Sequence, residues 1–208
     1  MAILHRSREM EGGLHDPTPP YLEGQGAQAI IKEMLRRSLL LLCLAALAFA
    51  KTPRPLANVA LHTPDAKTIN LTKYRGKAVV LVIFSTSCPD CVSVLQLMDG
   101  IQKKFGPQGL QVLGAAGDEN AKYVLAPFIN RFRPTFPIGY VSKQEIIKLA
   151  DVDKDTRPVA PIVLFIDKWG MVREQYYGNN PIFRDAQRSL ESLSLAMIKV
   201  TPVGTKER

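Results

Sequence analysis

Phe84-Ser-Thr-Ser-Cys88-Pro-Asp-Cys91 joins two different kinds of sequence. Before it runs Lys77-Ala-Val-Val-Leu-Val-Ile-Phe84, apolar from Ala78 onward and rich in β-branched residues. That composition predicts a strand over 79–84 that is buried on both faces. After it, Val94, Leu95, Met98, Ile101 and Phe105 recur at helical spacing, and Gly106-Pro107 ends the run. A helix is therefore expected over 89–105. Cys88 and Cys91 fall at the junction between strand and helix. Free N–H groups and the positive end of the helix dipole stabilise a thiolate there. Two thiols three residues apart can act as attacking and resolving groups in disulfide exchange.

The chain has 208 residues, 46% of them apolar. That is enough for one ordinary domain with extra segments at its ends and a substantial core. The net charge is +8, and the whole excess falls within residues 51–208. No basic run exceeds two residues, which fits a solvated basic surface better than a docking patch for anionic partners. No nucleic-acid-binding module is present, and no nucleic-acid partner is expected.

The first fifty residues read as targeting material. Met34-Leu-Arg-Arg37 is a short basic start, and Ser38 to Ala48 is an apolar stretch. Ala48-Phe49-Ala50 then fits a small-x-small cleavage site. The stretch is shorter than the ~20 residues a spanning helix needs. Residues 34–50 are expected to be a cleaved secretory signal, with an uncleaved membrane anchor as the alternative. Cys43 follows Leu42, which does not suit lipid attachment. Residues 1–33 are expected to be a disordered extension or to precede the true start at Met34. The mature chain, 51–208, then keeps only Cys88 and Cys91. An exported, secreted or periplasmic, protein with one close pair can carry a disulfide.

Within 51–208 a short strand is expected in 56–62, and a second core strand over 110–115. Asp118 is expected to cap a helix over 119–131 whose apolar positions are Tyr123, Val124, Phe128 and Ile129. A short strand follows at 136–141. Ser142 and Glu145 suit a capping box for a helix over 143–150. Ile162 to Ile166 and Met171 to Tyr177 form a hairpin across Asp167-Lys-Trp-Gly170. A last helix runs over 182–200. Early alternation of strands and helices implies parallel strands, with the late hairpin adding an antiparallel edge. Trp169 is expected to be a partly exposed packing residue, and Tyr176 and Tyr177 to face opposite sides of their strand.

In this order, a CxxC after a core strand and Pro161-Ile-Val-Leu-Phe-Ile-Asp167-Lys-Trp-Gly170 some seventy residues later, the chain resembles the thioredoxin superfamily. It is most similar to the exported TlpA/ResA-like redoxin branch related to AhpC/TSA. The resemblance covers about 56–200 and implies an α/β, thioredoxin-like fold with a central mixed sheet flanked by helices. It implies thiol–disulfide oxidoreductase activity, with Cys88 as nucleophile, Cys91 resolving, and protein substrates held near Pro89, Asp90, Ala160 and Pro161. It further implies that the Ala160–Pro161 bond is cis, a state open cheaply only to X–Pro bonds. Protein thiols or disulfides are the implied substrates, and a membrane or envelope protein the implied electron source. No cofactor and no metal are called for, and a monomer is expected.

Several residues depart from the family pattern. Ser87 stands where a Trp often precedes the first cysteine, and Val94 stands where some members carry an acid. Asp90 is then the nearest acid in sequence. It either opposes thiolate formation or serves only as a solvated first-turn residue. Leu81 and Ser85 replace the Pro and Thr of the peroxiredoxin motif, which weighs against peroxide reduction. A thioredoxin-like copper chaperone is one alternative, since two thiols bind Cu(I). His62 is the only histidine in 51–208, however, and a surface histidine is the simpler account. The other alternative is a non-catalytic binding domain with a structural disulfide. A bridge that closes so short a loop constrains the unfolded chain little.

Overall fold

The computed structural model describes residues 53–156 and 158–200, together with 32 and 34–37 nearer the N-terminus. The chain separates into two units, Met1–Phe49 and Ala50–Arg208. In the first, the described residues are helical and exposed. The apolar stretch, Cys43, the cleavage site and the extension before residue 32 lie outside the described residues. Among the described residues no helix is long and apolar enough to cross a membrane.

The second unit is built on one eight-stranded sheet. Its strands are β1 (Arg54–Pro55), β2 (Ala60–His62), β3 (Thr68–Asn70), β4 (Ala78–Phe84), β5 (Leu110–Ala116), β6 (Ile138–Tyr140), β7 (Ile162–Ile166) and β8 (Met171–Tyr177). The helices that flank it are α1 (Pro89–Phe105), α2 (Ala121–Phe132), α3 (Lys143–Ala150) and α4 (Ala186–Lys199). The spatial order of strands is β1-β8-β7-β4-β5-β6-β2-β3.

Every residue of β4 is buried, and this explains its central place. The strand has no polar side chain to present to water on either face, so both faces must be covered. It pairs in parallel with β5, Leu81 opposite Leu113, and antiparallel with β7, Leu81 opposite Leu164. On one face Val80, Val82 and Phe84 join Leu95, Met98, Phe128, Leu190 and Met197 from α1, α2 and α4. On the other, Val79, Leu81 and Ile83 join Leu71, Leu149 and Leu164. Each such side chain stabilises the fold by about 1.5–3 kcal/mol relative to exposure.

The α/β class and the mixed sheet flanked by helices are as the sequence implied. The helix 89–105, the 143–150 helix with its capping box and the late hairpin also have the expected bounds. Asp167 holds the hairpin turn. Its carboxylate accepts from the N–H groups of Trp169 at 2.9 Å and Met171 at 3.0 Å, and from Arg173 Nε at 2.6 Å. Gly170 takes the left-handed φ of +83° that this turn requires. Tyr176 meets Phe165 edge-on on one face, while Tyr177 packs on the other.

Four expectations change. The hairpin is not the edge of the sheet: β7 lies against β4, and β1 covers β8 by pairing Arg54 with Val172. The strand expected in 56–62 narrows to β2, which folds back on β3 and pairs through His62 with Tyr140 at the opposite edge. The 119–131 helix begins at Ala121 and buries Ala121, Leu125 and Phe128, whereas Tyr123 is 77% exposed. The last helix opens with a 3-10 turn at Pro181–Asp185 before α4.

Candidate functional site

The site grows from the carboxyl end of β4. The strand stops at Phe84, the chain turns through Ser85, Thr86 and Ser87, and α1 begins at Pro89. Proline suits the first helical position, because its missing N–H would have no helical partner there. Cys88 is thus the N-cap residue, with extended backbone angles of −89° and 114°. Its Sγ accepts the N–H of Cys91 at 3.2 Å, and its carbonyl accepts the N–H of Val92 at 3.1 Å. The thiol therefore occupies the place a serine or aspartate oxygen takes at other helix starts.

The two sulfurs have different surroundings. Cys88 is half-buried, Cys91 has 0% exposure, and both are free thiols. Burial, reinforced by the hydrogen bond with Cys88, pushes the Cys91 thiol up to about 12. The backbone of Ser85 pulls the other way, while the charges of Cys88 and Asp90 push it further up. Both contributions from Cys88 belong to a free sulfur there.

Asp90 is exposed in the first turn of α1, and Pro89 is exposed beside it. The Ala160–Pro161 bond is cis. Pro161 and Asp90 line the same groove, about 350 Å³, whose walls are α1 through Ser93 and Leu97 and the 178–184 segment through Asn180 and Phe183. Ala160 lines a second, more apolar groove of about 200 Å³ with Ser85, Ile146 and Pro158. The structure thus joins Cys88 to Cys91 directly and Asp90 to Pro161 across a groove. Ala160 faces a different groove, and Pro89 lines neither.

Asp118 does not cap α2. Asn120 holds the N-cap position, without a side-chain bond. The Asp118 carboxylate turns instead to the cysteine loop, where Oδ1 accepts Ser85 Oγ at 2.6 Å and Oδ2 accepts the Thr86 N–H at 3.0 Å. The register of the sheet accounts for this. Parallel pairing puts Phe84 opposite Ala116, so residues just past both strand ends must be neighbours. His62 lies on β2, with Nε2 3.8 Å from Glu145 Oε1 and its ring 5.6 Å from that of Tyr140. Among the described residues no three His, Cys, Asp or Glu side chains converge as a metal set.

A mixed sheet whose central strand delivers a half-exposed and a buried cysteine to one helix start defines the thioredoxin-like thiol–disulfide oxidoreductase class. Residues 53–175 match the AhpC/TSA family, and the chain belongs to that family. It is 28% identical over 172 residues to the thiol-disulfide oxidoreductase ResA of Geobacillus thermodenitrificans, covering 77% of this chain and 95% of that one. It is 27% identical over 145 residues to ResA of Bacillus thuringiensis, covering 70% and 76%. Among solved structures it is similar to a putative thiol:disulfide interchange protein DsbE from Chlorobium tepidum. The TM-score there is 0.59 at 22% identity, covering 70% of this chain and 96% of that one. The chain is a ResA-like redoxin and an enzyme of the thiol–disulfide oxidoreductase class.

Proposed function

We propose that this chain is an exported reductase of protein disulfides that works through the Cys88–Cys91 dithiol. The observation that carries the proposal is the contrast between the half-exposed Cys88 at the N-cap of α1 and the buried Cys91 one turn on, 3.2 Å from N to Sγ. Cys88 attacks one sulfur of a substrate disulfide. A new S–S bond forms as the old one breaks, and the departing sulfur leaves as a thiolate that takes a proton from water. Cys91 then loses its proton and attacks Cys88 Sγ. The internal disulfide forms and the second substrate sulfur is released.

Pro161 and Asp90, across their shared groove, and Ala160 are the residues proposed to hold the substrate segment. Two electrons must then return to the pair from an electron-transfer partner of the envelope. Export rests on residues 34–50, and N-terminal sequencing of protein taken from the cell envelope tests it. A start at Lys51 supports processing, and an intact 34–50 segment contradicts it.

The activity is tested by trapping. Cys91→Ser incubated with insulin should accumulate a mixed disulfide at Cys88 that thiols dissolve, and Cys88→Ser should form none. No adduct with either variant would reject the reading.

A further inference from the structure

Ser85 is hydrogen-bonded to Cys88 and to one carboxylate, and its backbone acts electrostatically on Cys91. Its carbonyl accepts the N–H of Cys88 at 3.2 Å. Its hydroxyl donates to Asp118 Oδ1 at 2.6 Å and lies 3.0 Å from Ser87 Oγ. The N–H of the next residue, Thr86, donates to Asp118 Oδ2 at 3.0 Å and lies 3.2 Å from Oδ1. An ionised carboxylate only accepts, and its charge strengthens both bonds. The carboxylate comes from just past β5, a strand of the central sheet, whereas the segment it grips is the four-residue loop 85–88 between β4 and α1.

We propose that Asp118 is a positioning residue for the dithiol, fixing through Ser85 the loop that presents Cys88 and faces Cys91. This rests on the thiol-exchange reading given above. The step it serves is the second one. Cys91 attacks Cys88 Sγ, the Cys88–Cys91 bond forms, and the bond from Cys88 to the substrate sulfur breaks. That sulfur departs with the electron pair and is protonated by water, while the Cys91 proton passes to solvent. The backbone of Ser85 favours the Cys91 thiolate against burial. Reactions of this kind are sensitive to displacements of about 1 Å, so a loop that drifts would slow the attack. Asp90 and Cys88 also face Cys91 from α1. The ionisable groups that share the Asp118 cavity are His62, Glu119, Lys122, Tyr140, Lys143 and Glu145.

The test uses the full chain with Cys43→Ser in every sample, which leaves Cys88 and Cys91 as its two thiols, and a symmetrical nitroaryl disulfide whose released thiolate is coloured. One coloured thiolate leaves when Cys88 attacks and a second when Cys91 resolves, so stopped-flow absorbance separates the two steps. Asp118→Ala and Ser85→Ala should each slow the second phase about ten-fold, the scale of losing a hydrogen bond to a charged group. The first phase should slow less, and the pH at which the second phase is half-maximal should rise. Asp118→Asn, close in shape and still able to accept one bond, should recover part of the rate. It also keeps the test valid if the alanine variant fails to fold. The double variant should be no slower than Asp118→Ala alone, because that change already removes the bond Ser85→Ala cuts.

A second phase at the wild-type rate in Asp118→Asn and Ser85→Ala would overturn the assignment, and so would losses that multiply in the double variant. If the wild-type chain released no coloured thiolate, the thiol-exchange reading itself would fall, and the positioning role with it. If the first coloured thiolate appeared normally in every variant, that reading would stand whatever became of Asp118.

Discussion

The backbone N–H of Cys91 points at Cys88 Sγ across 3.2 Å. One sulfur is therefore held at the helix start with its partner a single turn deeper, at 0% exposure. The pair is asymmetric before any substrate arrives, and under the proposed mechanism that asymmetry sets the order of the two thiols.

The first consequence is selective labelling. At mildly alkaline pH under reducing conditions, iodoacetamide should modify Cys88 and leave Cys91 unlabelled until the chain is unfolded. Mass spectrometry of proteolytic peptides reads this directly. In Cys88→Ser the native protein should take up almost no label at Cys91. Equal labelling of both cysteines would contradict the burial argument.

Stability of the reduced protein should fall at high pH. The Cys91 thiol is raised from 9.0 to about 12 by burial. Above 9.0 the unfolded chain has lost a proton that the folded chain still holds, so stability declines as pH climbs from there toward about 12. Burial also raises Tyr74 and Tyr176 above 10.0, and they push in the same direction. Denaturant unfolding at a series of pH values should show this slope, and Cys91→Ala should flatten it in part. An unchanged slope in that variant would contradict the account.

Gly178 tests the groove beside the cysteines. Its N–H donates to the carbonyl of Val159 at 3.0 Å, and a Cβ added there would collide with the carbonyl of Ala160 and meet Pro161 Cδ at 3.0 Å. Gly178→Ala should push the 159–161 segment away and lower kcat/KM for protein disulfide reduction by about 10–100-fold, the range that small misplacements of a reacting partner produce. Labelling of Cys88 by iodoacetamide should stay near the wild-type rate. Wild-type kcat/KM would mean that this segment does not position substrate.

Leu95, fully buried on α1 beneath β4, anchors the helix that carries both cysteines. Leu95→Ala should cost about 2–5 kcal/mol, the usual range for emptying a well-packed core site. Urea unfolding measures it, and a loss below about 1 kcal/mol would mean the helix face is less tightly packed than the structure shows.

The parts of the fold visible in the sequence are those fixed by local chemistry. Pro89 at the first helical position and Gly106-Pro107 past the end gave α1 both boundaries. Ser142 with Glu145 did the same for the start of α3, and Asp167 with Gly170 marked the hairpin turn. What stayed hidden depends on partners far along the chain. Nothing near Arg54 says that it pairs with Val172, and nothing near Ala60 says that it lies beyond β6. Asp118 is the instructive case in the site. An aspartate before a helix looks the same whether it caps that helix or reaches a loop 33 residues earlier. Only the parallel register of β4 and β5 separates the two.

The central claim is that Cys88 and Cys91 form a redox pair working in the reducing direction. It is tested most directly by equilibrating the full chain, with Cys43→Ser as background, in thiol–disulfide buffers of graded potential and scoring free thiols, with Cys88→Ser as control. The account predicts one reversible two-electron transition at or below about −270 mV, the thioredoxin range, absent in the control. A transition near about −120 mV would mark a disulfide donor instead and contradict the reducing direction. A pair that does not cycle at all in the folded protein would contradict the exchange chemistry itself.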